Sequence, residues 1–283
     1  MFRRAWGVGL IQIKKTLRHP RSLALLILLF IYIDFTLRGV HSFCKDYDVT
    51  ISLWGVLAQI FGNARTQCCL MLFFVFLLID LPGADENEQT VLMRSGAKAW
   101  MLGKFICVAV LTFVWMITIT ILTMIVIRRI SFTMNWDVAL QTLARTDAYK
   151  SFSIRMTFSS KLVLNWTLGE VFLRAFLLNI ALALWSGIWI LVLNFATNRP
   201  SGNFIIAALA FLSQNIGGIL NSGYYYHFSP VSLALATVVD GGFDDAYPRL
   251  AYSAAFFVIG MVLGLMILFL GVHMRKDFTK LRV

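Results

Sequence analysis

The chain has 283 residues, of which 59% are hydrophobic and only 14% charged, and its formal net charge is +11 at pH 7. Because soluble domains typically carry about 25% charged residues, this composition excludes an ordinary soluble domain. Lys and Arg stand at the ends of apolar blocks, where cytoplasmic flanks and anionic lipid headgroups favour them, so the positive charge does not indicate a nucleic-acid partner.

The N-terminal segment, residues 1–21, has the pattern of an amphipathic helix. Apolar side chains that include Trp6 recur on one helical face, and cations that include Lys14 and Lys15 lie largely elsewhere. Such a helix lies in the headgroup plane of a membrane. Two interpretations stay open: a simple membrane anchor, or a docking helix that uses Trp6, Lys14 and Lys15 against a cytoplasmic partner.

Residues 22–283 are predicted to form a single all-α, polytopic membrane domain with about six transmembrane helices. A span needs about 20 apolar residues, and the five prolines all fall between the candidate spans, where a missing N–H costs least. The predicted spans are approximately 22–39, 59–79, 103–127, 174–196, 202–221 and 251–271.

The distribution of Lys and Arg predicts that both termini are cytoplasmic. On that orientation fourteen cations face the cytoplasm: six in 1–22, two in 81–102, one in 197–201, four in 272–283, and Lys104. Eight face outside, and six of these lie in the predicted external loop 128–173. This basic loop is an exception to the rule. It is predicted to be a folded external cap, the alternative being an error of one in the number of spans.

Polar residues inside the predicted spans are candidates for a pathway lining or an interface between helices. The purely apolar run of the second span is too short to cross a membrane, so its helix is predicted to extend back through Gln59, Asn63 and Gln67. These three residues recur at i, i+4 and i+8. Asn179 and Ser186 share a face of the fourth span. Lipid cannot satisfy such groups, so they are expected to face protein or water; buried hydrogen bonding between helices is the open alternative.

Two further features concern the packing of the predicted bundle. Gly260 and Gly264 form a Gly-x-x-x-Gly pair in the sixth span, which permits close approach of another helix. Ser229 and Pro230 have the residue types of a helix start, and Gly241 follows the apolar run. The segment 230–239 is therefore predicted to be a helix too short to span, which dips into the outer leaflet or caps the bundle.

The predicted cytoplasmic loop 81–102 contains the pattern of a short helix. Asp85, Glu86 and Glu88 begin it, Arg94 lies in its last turn and Gly96 sits just past its end. Acids first, a base last and Gly after the end is the order that the helix dipole and the C-cap favour. Such a helix is expected to dock a partner, and an ordinary interfacial connector is the alternative.

At this point the chain resembles the permease subunit of type-2 ATP-binding-cassette (ABC) exporters. The resemblance covers the architecture: the basic N-terminal helix, six spans and a membrane-dipping helix before the last span. Its local motif is degenerate, runs on to Gly103-Lys104, and reads Glu88-Gln-Thr90-Val-Leu92-Met-Arg94-Ser95-Gly96. The large basic loop 128–173 departs from the compact pattern of that family.

The resemblance implies a multi-pass protein of a cell membrane, expected to be the bacterial cytoplasmic membrane. Two permease chains, identical or different, would pair, each with a cytoplasmic ABC ATPase that binds ATP and Mg. The residues implied to couple ATP hydrolysis to the spans are Asp85, Glu86, Glu88, Thr90, Leu92 and Arg94.

ATP hydrolysis by this chain is not expected, because Gly103-Lys104-Phe105 lacks the spacing and the Ser/Thr of a phosphate-binding loop. No cofactor, metal or catalytic residue is expected in it either, because its four histidines are scattered and neither a His-Glu-x-x-His nor a Gly-x-Ser-x-Gly motif occurs. The expected substrate is hydrophobic or amphipathic: a peptide, a lipid or a drug. The alternatives are an ion-coupled secondary transporter, which usually has broken helices and paired intramembrane carboxylates, and a membrane anchor or sensor.

Overall fold

The computed structural model describes residues 1–81, 86–197, 199–219, 223–239 and 247–274, and these residues are almost entirely helical. Two strands of two residues each, β1 (Ile51–Ser52) and β2 (Ile130–Ser131), pair in parallel. A 3-10 segment covers Gly223–Phe228. In chain order the helices are α1 (Phe2–Arg18), α2 (Pro20–Asp46), α3 (Leu53–Gly62), α4 (Ala64–Leu77), α5 (Glu86–Ser95), α6 (Ala97–Val126), α7 (Val138–Arg145), α8 (Ala148–Ser151), α9 (Ser160–Asn165), α10 (Leu168–Thr197), α11 (Ser201–Ile219), α12 (Pro230–Leu233) and α13 (Leu250–Met274).

Four of the described helices, α2, α6, α10 and α13, are long and apolar enough to cross a membrane. Helix α11 is apolar over Ser201–Gln214, and α3 with α4 passes the same test only as a bent pair. A helix satisfies its own backbone hydrogen bonds, which is what a lipid environment demands of a spanning segment. The prediction of a helical membrane-spanning protein is therefore confirmed.

The prediction of one continuous helix over 59–79 is wrong. The chain bends by 83° between α3 and α4. At the bend Asn63 is extended, and its side-chain oxygen accepts hydrogen bonds from the backbone N–H groups of Arg65 and Thr66, both at 3.1 Å. Asn63 is thus the N-cap of a new helix, so Gln59, Asn63 and Gln67 do not form one helical stripe.

The segment predicted as an outer membrane-dipping helix over 230–239 is also different in the structure. Ser229 and Pro230 do start a helix, with the Ser229 hydroxyl accepting from the Ser232 N–H at 3.3 Å, but α12 ends at Leu233. Turns follow to Val239, and the side chains of residues 230–236 are buried. The segment fills space against α4, α10 and α11, so it does not present an apolar face to lipid.

The predicted external loop 128–173 is folded from 128 to 167, and we name this part the cap. It contains β2, α7, α8 and α9, and α10 begins at Leu168, six residues before the predicted span. Trp136 holds the cap together, donating from its ring N–H to the Trp166 carbonyl at 2.7 Å and packing on Phe158.

The bundle has two ends, which contacts between distant parts of the chain define. At the first, the α1 end, Arg21 at the start of α2 pairs with Asp80 just after α4. At the opposite end, the cap end, Arg129 pairs with Asp48, and Phe43 of α2 packs on Phe152. Successive apolar segments therefore run alternately from the α1 end to the cap end and back.

A buried amide cluster fixes the hairpin of α10 and α11 at the α1 end. Asn194 donates to the Leu81 carbonyl at 2.6 Å and to the Asn203 side chain at 2.8 Å, and it accepts from the Gly202 N–H at 2.7 Å. Asn203 in turn donates to the Val75 carbonyl at 3.1 Å. Because each buried polar group has a partner, the cluster stabilises the junction of α4, α10 and α11.

Candidate functional site

The α1 end carries the two elements that the sequence marks for docking, α1 and α5. Helix α5 ends at Ser95, whose hydroxyl donates to the Val91 carbonyl at 2.7 Å. Gly96 follows with φ +80, a conformation that L side chains rarely adopt, and α6 starts immediately after it. The glycine therefore permits the abrupt change of direction that leaves α5 beside the start of α6.

Helix α5 divides the predicted coupling residues between two environments. Leu92 is buried against the core, whereas Thr90 and Arg94 are exposed. Glu86 and Glu88 belong to α5, but their side chains lie outside the described residues, as does the whole of Asp85. Leu92 thus packs within its own chain, so any coupling role it has would act through the packing of α5 on the core.

Helix α5 also exposes a large apolar side chain, Met93, which the sequence pattern does not mark. Met93 is 77% exposed, between buried Leu92 and exposed Arg94. A large apolar side chain left in this position on a short helix is available for contact with another protein.

Helix α1 lies against the first turns of α6 at very close range. A Cβ atom built on Gly103 would stand 2.7 Å from the Ala5 carbonyl oxygen and from the Val8 Cβ, and one built on Gly9 would stand 3.0 Å from the Gly103 carbonyl oxygen. Two glycines therefore let the backbones of α1 and α6 approach each other.

The face of α1 that packs on α6 is not its large apolar face. The buried residues are mostly smaller or polar, such as Ala5, Val8 and Gln12, and Ile13 is the one large apolar side chain among them. Trp6 is 44% exposed, Lys14 is exposed and Lys15 is half-buried. The helix consequently presents its aromatic side chain and one of the predicted docking cations outwards, as a helix that lies in a headgroup layer does.

A buried lysine joins α1 to α6. The side chain of Lys104 is only 1% exposed, its ammonium donates to the Gln12 side-chain oxygen at 2.9 Å, and it stands 5.2 Å from the centre of the Trp100 ring. A buried cation is tolerated only where it is hydrogen-bonded, so this contact fixes the register of α1 on α6. The sequence gives no sign of the Lys104–Gln12 contact, because the two residues are 92 positions apart.

The Arg21–Asp80 pair connects α2 to the end of α4 at the same end of the bundle. The two guanidinium nitrogens donate to the two carboxylate oxygens at 3.1 and 2.6 Å. This hydrogen bonding holds the pKa of Asp80 below its usual value, against the opposing effect of partial burial. The pair is therefore charged at neutral pH.

An open groove of about 390 Å³ lies between the beginning of α1 and the turn from α5 to α6. Two of its lining residues, Arg4 and Lys98, are exposed cations, and Met1 adds an apolar edge. With Arg94 and Met93 nearby on α5, the α1 end presents a surface of positive charge and apolar contact area. We name Arg4, Met93, Arg94 and Lys98 the docking surface.

The residues predicted to line a pathway are hydrogen-bonded within this chain at separate places. Gln59 donates to the Arg155 carbonyl of the cap and accepts from the Thr157 hydroxyl at 3.0 Å. Asn63 caps α4, and Asn179 donates to the Ala175 carbonyl at 2.8 Å and to the Ala234 carbonyl at 3.4 Å. These three side chains serve structural hydrogen bonds in this structure.

Two other predicted lining residues have buried polar atoms without a partner. The side-chain oxygens of Gln67 on α4 and of Ser186 on α10 are both buried and make no hydrogen bond. An unpartnered buried oxygen is costly, so the described structure gives these two positions no structural hydrogen bond of the kind that Gln59, Asn63 and Asn179 make.

Gly260 and Gly264 lie where α13 packs on α10. A Cβ on Gly260 would overlap the Trp185 ring nitrogen, and one on Gly264 would stand 2.6 Å from the Ile188 Cγ2. The pair therefore serves a contact inside this chain. Among the described residues, no group of three or more His, Cys, Asp or Glu side chains could hold a metal ion.

Comparison with known proteins finds no match: no family model, no curated protein and no solved structure is similar to this chain.

Proposed function

We propose that the chain is the permease subunit of an ABC exporter, which moves a hydrophobic or amphipathic substrate with ATP hydrolysed by a separate subunit. In this proposal six spans cross a cell membrane, expected to be the bacterial cytoplasmic membrane, with both termini and the α1 end in the cytoplasm. The cap is then external. The greater number of Lys and Arg residues assigned to the cytoplasmic side supports this orientation.

The observation that carries the proposal is the docking surface. Helices α1 and α5 lie at the same end of the bundle and both contact α6, so their exposed residues are held together on one rigid element. Arg94 and Lys98 supply positive charge, and Met93 supplies an exposed apolar contact. A surface of this kind fits a soluble partner that has an acidic and apolar groove.

The two connections of α1 to the spans also suit a coupling role. Lys104 and Gln12 join α1 to α6, and Gly9 and Gly103 bring the backbones of the two helices into close contact. Force applied to the docking surface would therefore be transmitted to α6 without first deforming a loop.

Charge reversal on the docking surface tests this assignment. The variant Arg94→Glu, in a tagged chain purified from its native membrane, is expected to lose most of the co-purifying ATPase while its own amount in the membrane is unchanged. The matched control is Lys161→Glu, the same charge change at an exposed position of the cap. Equal recovery of the ATPase with both variants would overturn the docking assignment.

A second candidate, an ion-coupled secondary transporter, is favoured by one observation. The 83° break between α3 and α4 is a feature that the sequence did not predict and that such transporters often have. Here, however, Thr237 donates to the Gly62 carbonyl at 2.8 Å and Asn63 caps α4, so the break is filled by the chain's own hydrogen bonds. Substrate uptake driven by an ion gradient in vesicles that contain only this chain would establish this alternative.

A further inference from the structure

The exposed side chains of the long helices fall into two classes. In the middle of α6 and of α13, the exposed side chains are apolar, as Phe113 and Val262 illustrate. Helix α2 also exposes large apolar residues over its first half, but Asp34 and Arg38 follow among its uncovered residues. The first class of surface suits lipid, and the second does not.

Asp34 lies well inside α2, and its partner Arg38 lies one turn nearer the cap end. This helix is held at one end by the Arg21–Asp80 pair and at the other, just beyond its last residue, by the Arg129–Asp48 pair. Asp34 is 13 residues after Arg21 in the sequence, which is about 20 Å along a helix and near the middle of α2. If Arg21 marks one boundary of a hydrocarbon layer about 30 Å thick, Asp34 lies about 10 Å from the other boundary, which is beyond the reach of an aspartate side chain, whereas Arg38 lies one turn closer to it.

The pair is open to its surroundings despite that depth. Arg38 pairs with Asp34 at 3.2 Å, yet the two side chains are 67% and 43% exposed. Arg38 also lies 5.7 Å from the centre of the Phe35 ring, which is itself 61% exposed. Lipid tails supply no hydrogen-bond donor or acceptor to such groups, so charged residues in spans face protein or water.

We infer that Asp34, Phe35 and Arg38, named here the α2 face, contact the α2 face of a second copy of this chain. The face carries both signs of charge, so it is complementary to itself, as a two-fold contact between identical chains requires. Arg65, exposed at the start of the neighbouring helix α4, adds a further cation for the Asp34 of the other copy. This inference rests on the proposed pairing of two permease chains and specifies where they meet.

Oxidative cross-linking in native membranes tests the assignment. Phe35→Cys is compared with Val262→Cys, which places a thiol at a similarly exposed apolar position near the middle of α13, and the unsubstituted chain gives the background from its four cysteines. Phe35→Cys is expected to give a covalent dimer and Val262→Cys to remain at background. Cross-linking through Val262→Cys alone would overturn the α2 face while leaving the pairing intact.

A second variant separates the role of the charges from the effect of a new cysteine. The double substitution Asp34→Leu with Arg38→Leu makes the α2 face apolar, and it is expected to reduce the dimer fraction about tenfold with unchanged helix content. An undiminished dimer in this variant would contradict the inference. If the unsubstituted chain is a monomer in native membranes by native mass spectrometry, both this inference and the proposed pairing fail.

Discussion

Asn194 shows how much one buried side chain contributes to this fold. Its amide serves α4, α10 and α11 at once, through the Leu81 carbonyl, the Asn203 side chain and the Gly202 N–H. Replacing it with Leu leaves these groups buried without a partner, so Asn194→Leu is expected to lower the free energy of unfolding by about 2–4 kcal/mol. Equilibrium unfolding in mixed detergent micelles measures the loss.

The control for this prediction is Thr197→Val, an isosteric change at an exposed position in the same helix, which is expected to alter the free energy of unfolding by less than about 0.5 kcal/mol. Equal effects of the two substitutions would show that the amide cluster has no special importance.

The free energy of unfolding is expected to depend on pH through Asp80. Its pKa is lowered in the folded protein, chiefly by hydrogen bonding to Arg21, so the unfolded chain binds the proton first as pH falls. The stabilisation is therefore complete above the ordinary pKa of about 3.8 and is lost as pH falls through the lower folded pKa. Because Asp80 is 36% exposed, solvent screening limits the contribution to about 1 kcal/mol.

The measurement is the free energy of unfolding between pH 6 and pH 3. The unsubstituted chain is expected to lose part of this contribution, and therefore less than about 1 kcal/mol, relative to Asp80→Asn over this range. Asp147→Asn, which removes an exposed partner of Lys150 on the cap, serves as the control and is expected to follow the unsubstituted chain. A profile of Asp80→Asn identical to that of the unsubstituted chain would contradict the assignment.

At the scale of the elements, the contact of α1 with α6 is the one most sensitive to added volume. Gly103→Ala places a methyl group 2.7 Å from both the Ala5 carbonyl oxygen and the Val8 Cβ, so α1 must shift. The expected cost is about 1–3 kcal/mol. It is measured as increased labelling of a thiol introduced at buried Ala5, because a displaced α1 exposes its inner face.

The same substitution at Gly7 is the control, because a Cβ built there meets nothing within 4 Å. Gly7→Ala is expected to leave the labelling unchanged and to favour the helix by up to about 1 kcal/mol. Stronger labelling with Gly7→Ala than with Gly103→Ala would contradict the described packing.

The sequence predicts some elements much better than others, for physical reasons. The long apolar runs of α2, α6, α10 and α13 leave helix as the only conformation that satisfies the backbone in lipid. The break at Asn63 is different, because the apolar pattern continues across it and the local hydrogen bonds of one side chain decide the outcome. Sequence periodicity does not reveal that choice.

The candidate site could likewise be predicted from the sequence only in part. The pattern of acids, base and glycine predicted a helix before Gly96, and α5 ends there. Which residues of α5 stay exposed depends on tertiary packing, so the burial of Leu92 and the exposure of Met93 could not be predicted from the sequence. Lys104 likewise becomes important only because Gln12, 92 residues away in the sequence, lies beside it.

At the scale of the whole molecule, the two ends differ in kind. The α1 end is formed by helices joined through Arg21–Asp80, Lys104–Gln12 and the Asn194 cluster. The cap end is covered by the folded segment 128–167, which packs on α2 and α3. In the proposed function, the α1 end would receive the ATPase and the substrate would cross between the spans towards the cap.

Purification of the tagged chain from its native membrane, followed by identification of bound proteins and an ATPase assay, tests the central claim most directly. We expect a nucleotide-binding subunit in the eluate and ATP hydrolysis that depends on it. A chain recovered without any nucleotide-binding protein, and able by itself to move substrate down an ion gradient in reconstituted vesicles, would contradict the account.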